Sequence, residues 1–336
     1  MFKRPHLRAA KRLVNAPSAL ALLFLVAACN PGGETAATDS ADSPIAPPES
    51  TEPEGLVLPA VWQTKDLESP IASVALAGAV GSTVAVAYED GGLQFLDFEG
   101  ERVTEKANMG VSKVADGRYM LLQDTPVTVF PAITSDGDLT LYIHGGELAE
   151  PLPYPLDAGT DDLIEGICGA GPIAESDGVM RVGFWTQGER RQLRTGRIVE
   201  AGSDLVLLLN EPIPAARDIT ACVLSDGDAL VYADPVLAAA EVKHRNKTYR
   251  FVLDDLGGYS LSNDAGDVYP FTVRDGISVR PPARPVTMAG TGDARGGGYP
   301  GGLIVIGGEN ASGAHTVTYI DPSKVTREPF GYAPNE

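Results

Sequence analysis

From Leu56 onward the apolar residues come in short runs of strand length, separated by glycine, aspartate and asparagine. Ser82-Thr-Val-Ala-Val-Ala-Tyr88, Leu93-Gln-Phe-Leu-Asp97, Leu139-Thr-Leu-Tyr-Ile143, Val179-Met-Arg-Val-Gly-Phe-Trp185, Leu205-Val-Leu-Leu-Leu209 and Leu303-Ile-Val-Ile306 are rich in β-branched and aromatic residues and bounded by turn formers, which predicts strands. Glu89-Asp-Gly-Gly92 and Ser225-Asp-Gly-Asp228 lie where hairpin turns belong. Only Pro235 to Val242 has a composition that suits a turn or two of helix. Many short strands without intervening helices place the chain in the all-β class, as a propeller, a pair of sandwiches or a barrel. The couplet of strand, Asp/Gly turn and strand recurs around Tyr88–Asp97, Ser135–Ile143, Glu175–Trp185 and Val223–Ala233. Its spacing of roughly 40 to 50 residues is the size of a four-stranded blade, and this favours a β-propeller of six blades.

The N-terminal segment has a different character. Lys3, Arg4, Arg8, Lys11 and Arg12 precede the apolar run Ala19 to Ala28, which is too short for a permanent membrane span and ends in Val26-Ala27-Ala28-Cys29. That ending resembles the bacterial lipobox, so residues 1–28 are expected to be a lipoprotein signal peptide and Cys29 the lipidated residue. An ordinary signal peptide or an uncleaved anchor is the alternative. Asn30 at the next position, by resemblance to sorting rules, points to the outer membrane. The membrane is then a partner through a lipid anchor. Residues 29–55, dominated by Pro, Gly, Ser, Thr, Ala and acids, have almost nothing to bury and are expected to form a disordered linker. Residues 56–336 remain as one domain, long enough for a sizeable core.

Charge then narrows the partners. Removing the five leader cations from the 26 Lys and Arg, against 45 Asp and Glu, moves the formal charge from −19 to about −24. Nucleic acid is excluded as a partner, because no basic footprint offsets its phosphates. In the oxidising envelope the two remaining cysteines, Cys168 and Cys222, are candidates for a disulfide. None of the four histidines has metal-ligand spacing to another histidine or to a cysteine pair, and no Gly-x-Ser-x-Gly elbow occurs. The stretch Gly290 to Gly298 is not followed by Lys-Ser/Thr and reads as a loop, not as a phosphate cradle. Carboxylate clusters at Glu89-Asp90, Asp161-Asp162 with Glu165, Asp226 with Asp228, and Asp254-Asp255 make calcium a conceivable cofactor, although acid pairs in turns commonly serve only the turn.

In order along the chain, several segments resemble the β-propeller phytases, calcium-dependent hydrolases of phytate. They are Glu68-Ser-Pro-Ile-Ala72, Glu89-Asp-Gly-Gly-Leu-Gln-Phe-Leu-Asp-Phe-Glu-Gly-Glu101, Glu165-Gly-Ile-Cys168, Gly258-Tyr-Ser-Leu-Ser262, Asp275-Gly-Ile-Ser-Val279 and Tyr299-Pro-Gly-Gly-Leu-Ile-Val-Ile306 with Glu309-Asn310. The resemblance spans most of residues 64–320 and implies a six-bladed propeller. It also implies what is altered. Glu68-Ser69 stands for a paired aspartate, Thr134-Ser135-Asp136 for a motif bearing a phosphate-binding arginine, Thr220-Ala-Cys222 for Glu-Gly-Cys, Asp234-Pro235 for Glu-Glu, and Gly307-Gly308 for a late aspartate. With those ligands replaced, the expectation is a catalytically degenerate envelope lipoprotein acting in binding or assistance, its partner an envelope protein or a phosphorylated small molecule. The alternative is a phosphohydrolase with a rearranged calcium site on phytate or a smaller phosphoester. Its candidate metal ligands are Glu68, Glu89, Asp90, Asp226, Asp234 and Glu309; the catalytic residues are not assigned. A structural protein whose propeller face binds another protein is the third reading.

Overall fold

The structure, a computed structural model, describes residues 56–327 apart from 79–82, 123, 146–147, 170–177, 226–227 and 294–297. Cys29, Asp226 and the expected signal peptide and linker lie outside the described residues. The described residues form one compact unit.

Its first strand, β1 (Leu56–Gln63), belongs with the last blade. Blade 1 follows, with β2 (Ile71–Gly78), β3 (Thr83–Tyr88), β4 (Gly92–Asp97) and β5 (Ala107–Asn108). Blade 2 has an interrupted inner strand, β6 (Val111–Val114) and β7 (Gly117–Leu122), then β8 (Thr125–Thr134), β9 (Leu139–Gly145) and β10 (Leu152–Pro155). Blade 3 contains β11 (Ile164–Gly169), β12 (Met180–Thr186), β13 (Gln192–Ala201) and β14 (Asp204–Leu209), with the short β15 (Ile213–Pro214) beside β13. Among the described residues, blade 4 holds β16 (Ile219–Ser225) and β17 (Asp228–Ala233). Blade 5 holds β18 (Val236–His244), β19 (Lys247–Asp254), β20 (Tyr259–Ser262) and β21 (Val268–Arg274). Blade 6 holds β22 (Arg284–Thr291), β23 (Leu303–Glu309) and β24 (His315–Ile320), and a single helical turn, α1 (Ser323–Thr326), follows.

Within each blade the strands form an antiparallel meander, and the first strand of each lies beside the first strand of the next. β2 neighbours β6 and β22, β22 neighbours β18, β18 neighbours β16, β16 neighbours β11, and β11 meets β6, so the described strands close a six-bladed β-propeller. β1 locks the ring. Its first half pairs in parallel with β21 (Leu56↔Phe271) and, after a bulge, its second half pairs antiparallel with β24 (Ala60↔Ile320), so one strand joins blades 5 and 6.

Apolar cores fill the spaces between blades, as the alternation of side chains across each strand requires. Blades 5 and 6 meet through Tyr249, Phe251, Leu253, Ile304 and Ile306. Blades 6 and 1 meet through Val84, Val86, Leu303, Val305 and Tyr319, and blades 1 and 2 through Ala85, Phe95, Phe130 and Tyr142. Blade 4 is poorer. On the side of blade 3 it shares a small cluster of Trp185, Leu193, Ile219 and Leu224 around the Cys168–Cys222 disulfide, whose Cα atoms are 5.6 Å apart. On the side of blade 5 the contact is polar: Arg250 donates to Ser225 Oγ at 3.2 Å and pairs with Glu241 at 3.2 Å.

Two sequence expectations change here. The stretch Pro235 to Val242, expected to hold a turn or two of helix, is strand β18. Ala238, Ala240 and Val242 are buried on one side and alternate with Leu237, Ala239 and Glu241, because the strand pairs with β19 along its whole length and must lie against the neighbouring blade. The second concerns the hairpins: besides the turns read from the sequence, blades 1, 2, 5 and 6 share a further turn type. Asp97, Thr134, Asp254, Asn263 and Asn310 each offer a side-chain oxygen to the amide four residues on. Three residues after each stands a glycine with φ between +77° and +87° (Gly100, Gly137, Gly257, Gly266, Gly313). The side-chain oxygen replaces a backbone acceptor and the glycine supplies the left-handed residue that closes the hairpin.

Candidate functional site

The carboxylates singled out in the sequence lie mainly near the ends of the first strands of blades 1, 5 and 6, and most are already engaged. Glu68 accepts from Arg102 Nη1 at 3.1 Å, and Arg102 also lies 3.6 Å from Glu105. Asp90, in the β3–β4 turn, is 2.5 Å from Lys106 Nζ and accepts the Ser69 hydroxyl at 2.8 Å; Lys106 in turn donates to Ser69 Oγ at 2.6 Å. The hydrogen bond from Lys106 holds the Asp90 carboxyl below the usual carboxylate range. The same ammonium sits 5.1 Å from the centre of the Tyr88 ring, whose hydroxyl donates to Gln94 Oε1; burial, reinforced by the Glu68 charge, raises the Tyr88 pKa.

Glu309 pairs with Arg284 across β22 and β23 at 3.2 Å. Glu89 is exposed, and its backbone amide donates to Pro70 O at 2.9 Å. Asp234 precedes Pro235 through a cis peptide bond, and its amide donates to Asp218 O at 3.0 Å. The structure therefore brings Glu68 and Asp90 to the same side of blade 1, and leaves Asp234 and Glu309 on other blades. Among the described residues no three His, Cys, Asp or Glu come together to hold a metal ion. Arg102, Lys106 and Arg284 were not identified as site residues from the sequence; no local motif marks them, since each meets its carboxylate across a strand pairing or a loop.

The inner strands enclose a central channel of about 450 Å³. Its charged lining is Lys113, Asp116, Arg181, Glu241, Lys243 and Asp293, three cations and three carboxylates among the described residues. Lys113 Nζ donates to Glu165 O at 3.1 Å, and burial lowers its pKa against the opposing pull of the Glu165 carboxylate. Glu165 pairs with Arg191 at 2.6 Å. Asp116 accepts the Leu76 amide at 2.8 Å, bridging blades 1 and 2. Trp185 lies over Gly166, where a Cβ would stand 1.8 Å from the ring, and its buried indole N–H has no hydrogen-bond partner among the described residues. The channel is thus concave and polar, with its charges balanced against each other, in a chain whose formal charge is −19.

No protein-family model matches the sequence, and no curated protein matches it. Among solved structures it is similar to the fungal lectin of Aleuria aurantia, described as a six-bladed β-propeller with a fucose recognition mode (10% identity, TM-score 0.48, covering 80% of this chain and all of that one). It is similar also to AofleA from Arthrobotrys oligospora (11% identity, TM-score 0.48, 79% and 91%). BBS1N, solved in complex with ARL6DN, gives 12% identity and a TM-score of 0.48 over 82% of this chain and all of that one. The propeller architecture rests on the strand order and ring closure of this chain itself.

Proposed function

We propose that the protein is a recognition propeller of the bacterial cell envelope, built on a phytase-like scaffold, held to the membrane by a lipid on Cys29 and acting by binding, not by hydrolysis. One observation carries this reading: three of the carboxylates that a calcium-dependent phosphohydrolase would turn toward metal are turned toward cations of the same chain, Glu68 to Arg102, Asp90 to Lys106 and Glu309 to Arg284. Calcium takes six or more oxygens from converging ligands, and breaking three ion pairs to supply them costs part of the binding free energy. Of the two partner classes, an envelope protein is favoured over a phosphorylated small molecule, because the cations of the channel are matched by as many carboxylates.

The test is calorimetry of the purified chain with calcium, followed by phosphate release from phytate in the same buffer. Neither heat of binding nor release is expected. Tight calcium binding with release would establish the phosphohydrolase of the alternative reading. The anchor is tested separately by labelling cells with radioactive palmitate, which should mark the wild type and not Cys29→Ser.

A further inference from the structure

Blade 4 ends two strands short of its neighbours. Blades 3 and 5 each carry four strands, whereas among the described residues β17 pairs with β16 alone. At about 4.8 Å per strand, its outer edge lies roughly 10 Å inside the outer edges of the flanking blades. The result is a slot whose floor is the unpaired backbone of β17.

Each wall of the slot carries an apolar patch among polar side chains, Asp204 and Arg197 standing on the same face of blade 3 and Thr272 and Arg274 on that of blade 5. Leu205, Leu207 and Leu209 of β14 pack into the core between blades 2 and 3, so Val206 and Leu208 face the slot, 39% and 43% exposed. On the opposite wall Phe271 of β21 packs toward blade 6, so Val268 and Pro270 face the slot, Val268 being 66% exposed. The floor adds Leu230 and Val231, 39% and 36% exposed. These side chains occupy the places that the two outer strands of a full blade would cover. An edge strand of Ala-Leu-Val-Tyr-Ala without an internal charge or proline is open to pairing.

We infer that this slot is a β-augmentation site, and that its occupant is a β-hairpin of a second, non-identical protein, apolar along its arms and cationic at its ends. The inference rests on the recognition reading above and names its site and partner. A hairpin fits because the gap is two strands wide. The cationic ends follow from exposed Asp228 at one end of β17 and, at the other, from exposed Asp218 and Asp234, which outnumber the neighbouring Arg217. A second copy does not fit, since two recessed edges cannot meet while the walls of blades 3 and 5 project past them. Residues 30–55 of the same chain are rich in proline and acids, the wrong composition for a ladder strand beside aspartates.

The experiment is amide hydrogen exchange of the full chain at several concentrations. It is run with and without a cyclised hairpin peptide of alternating valine and threonine ending in lysines, and with a glutamate-ended version as control. Free β17 should exchange quickly at every concentration, and the lysine peptide should slow it at least about tenfold. Leu208→Gln and Val268→Gln, both at exposed positions, should each weaken peptide affinity about fivefold. Absence of slowing by the lysine peptide, or equal slowing by the glutamate peptide, overturns the assignment. So does a β17 already protected in the free chain: concentration-dependent protection would mean a second copy, and concentration-independent protection the chain's own N-terminal segment. Phosphate release from phytate alongside peptide binding would sink the recognition reading and leave the slot standing.

Discussion

Replacing Cys168 and Cys222 together by alanine removes the covalent link between β11 and β16 without leaving either partner as an unpaired thiol. The two cysteines are 54 residues apart, and a cross-link over such a loop restrains the fully unfolded chain by about 4 kcal/mol in the chain-entropy account. The local consequence is sharper. Blade 4 is held by a small apolar cluster on one side and a polar contact on the other, and among the described residues it has no outer strands, so it is the element that should detach first. If β16 and β17 detach while the rest stays folded, the bond closes a loop running back to Leu209. That is near the roughly fifteen-residue case worth about 3 kcal/mol. At about 1.4 kcal/mol per factor of ten, blade 4 of the double variant should open about a hundredfold more often. Native-state hydrogen exchange reads this directly. The amides of β16 and β17 should lose about two orders of magnitude of protection, whereas those of β3 and β23, deep in other blades, should change far less. A loss below about tenfold at β16 and β17 would refute the view that the disulfide substitutes for the missing half of blade 4. An equal loss in every blade would show that the bond acts on global unfolding alone.

Other expectations are more local. Lys106→Met should let the Asp90 carboxyl titrate closer to its ordinary range, read by NMR; unchanged titration would mean that the ion pair does not exist in solution. In the wild type the stability Asp90 contributes is present above the unfolded-state aspartate pKa and fades as pH falls through its lowered folded value, a small effect because the carboxylate is half exposed. Gly266→Ala, at φ +84° with no atom near the added methyl, should cost about 1–2 kcal/mol by urea denaturation, and Gly266→Asn less. No loss in the alanine variant would remove the left-handed turn from the account. Gly166→Ala drives a methyl into the Trp185 ring and should destabilise by about 1–3 kcal/mol with a shift in tryptophan emission; a neutral result would mean that the ring can move aside.

What the sequence determined by itself is local. Thr83–Tyr88, Gly92–Asp97, Leu139–Gly145 and Leu303–Glu309 are strands because β-branched and aromatic residues run between turn formers, and that information lies within about ten residues. The turns at Asp97, Asn263 and Asn310 were not among those read from the sequence, although each is local too, an Asx side chain capping an amide four residues on and a glycine closing the hairpin. Tertiary structure decided the rest. Ala238-Ala-Ala-Glu241 is strand and not helix because β19 pairs with it and blade 6 packs against it, an environment its own propensity cannot report. Glu68 meets Arg102 across 34 residues and Asp90 meets Lys106 across 16, so whether those acids could serve a metal depended on strands and loops the sequence does not display side by side. The shortness of blade 4, and the slot it leaves, exists only once the ring has closed. A missing pair of strands is visible only against neighbours that have theirs, because every blade must pack its faces on the next.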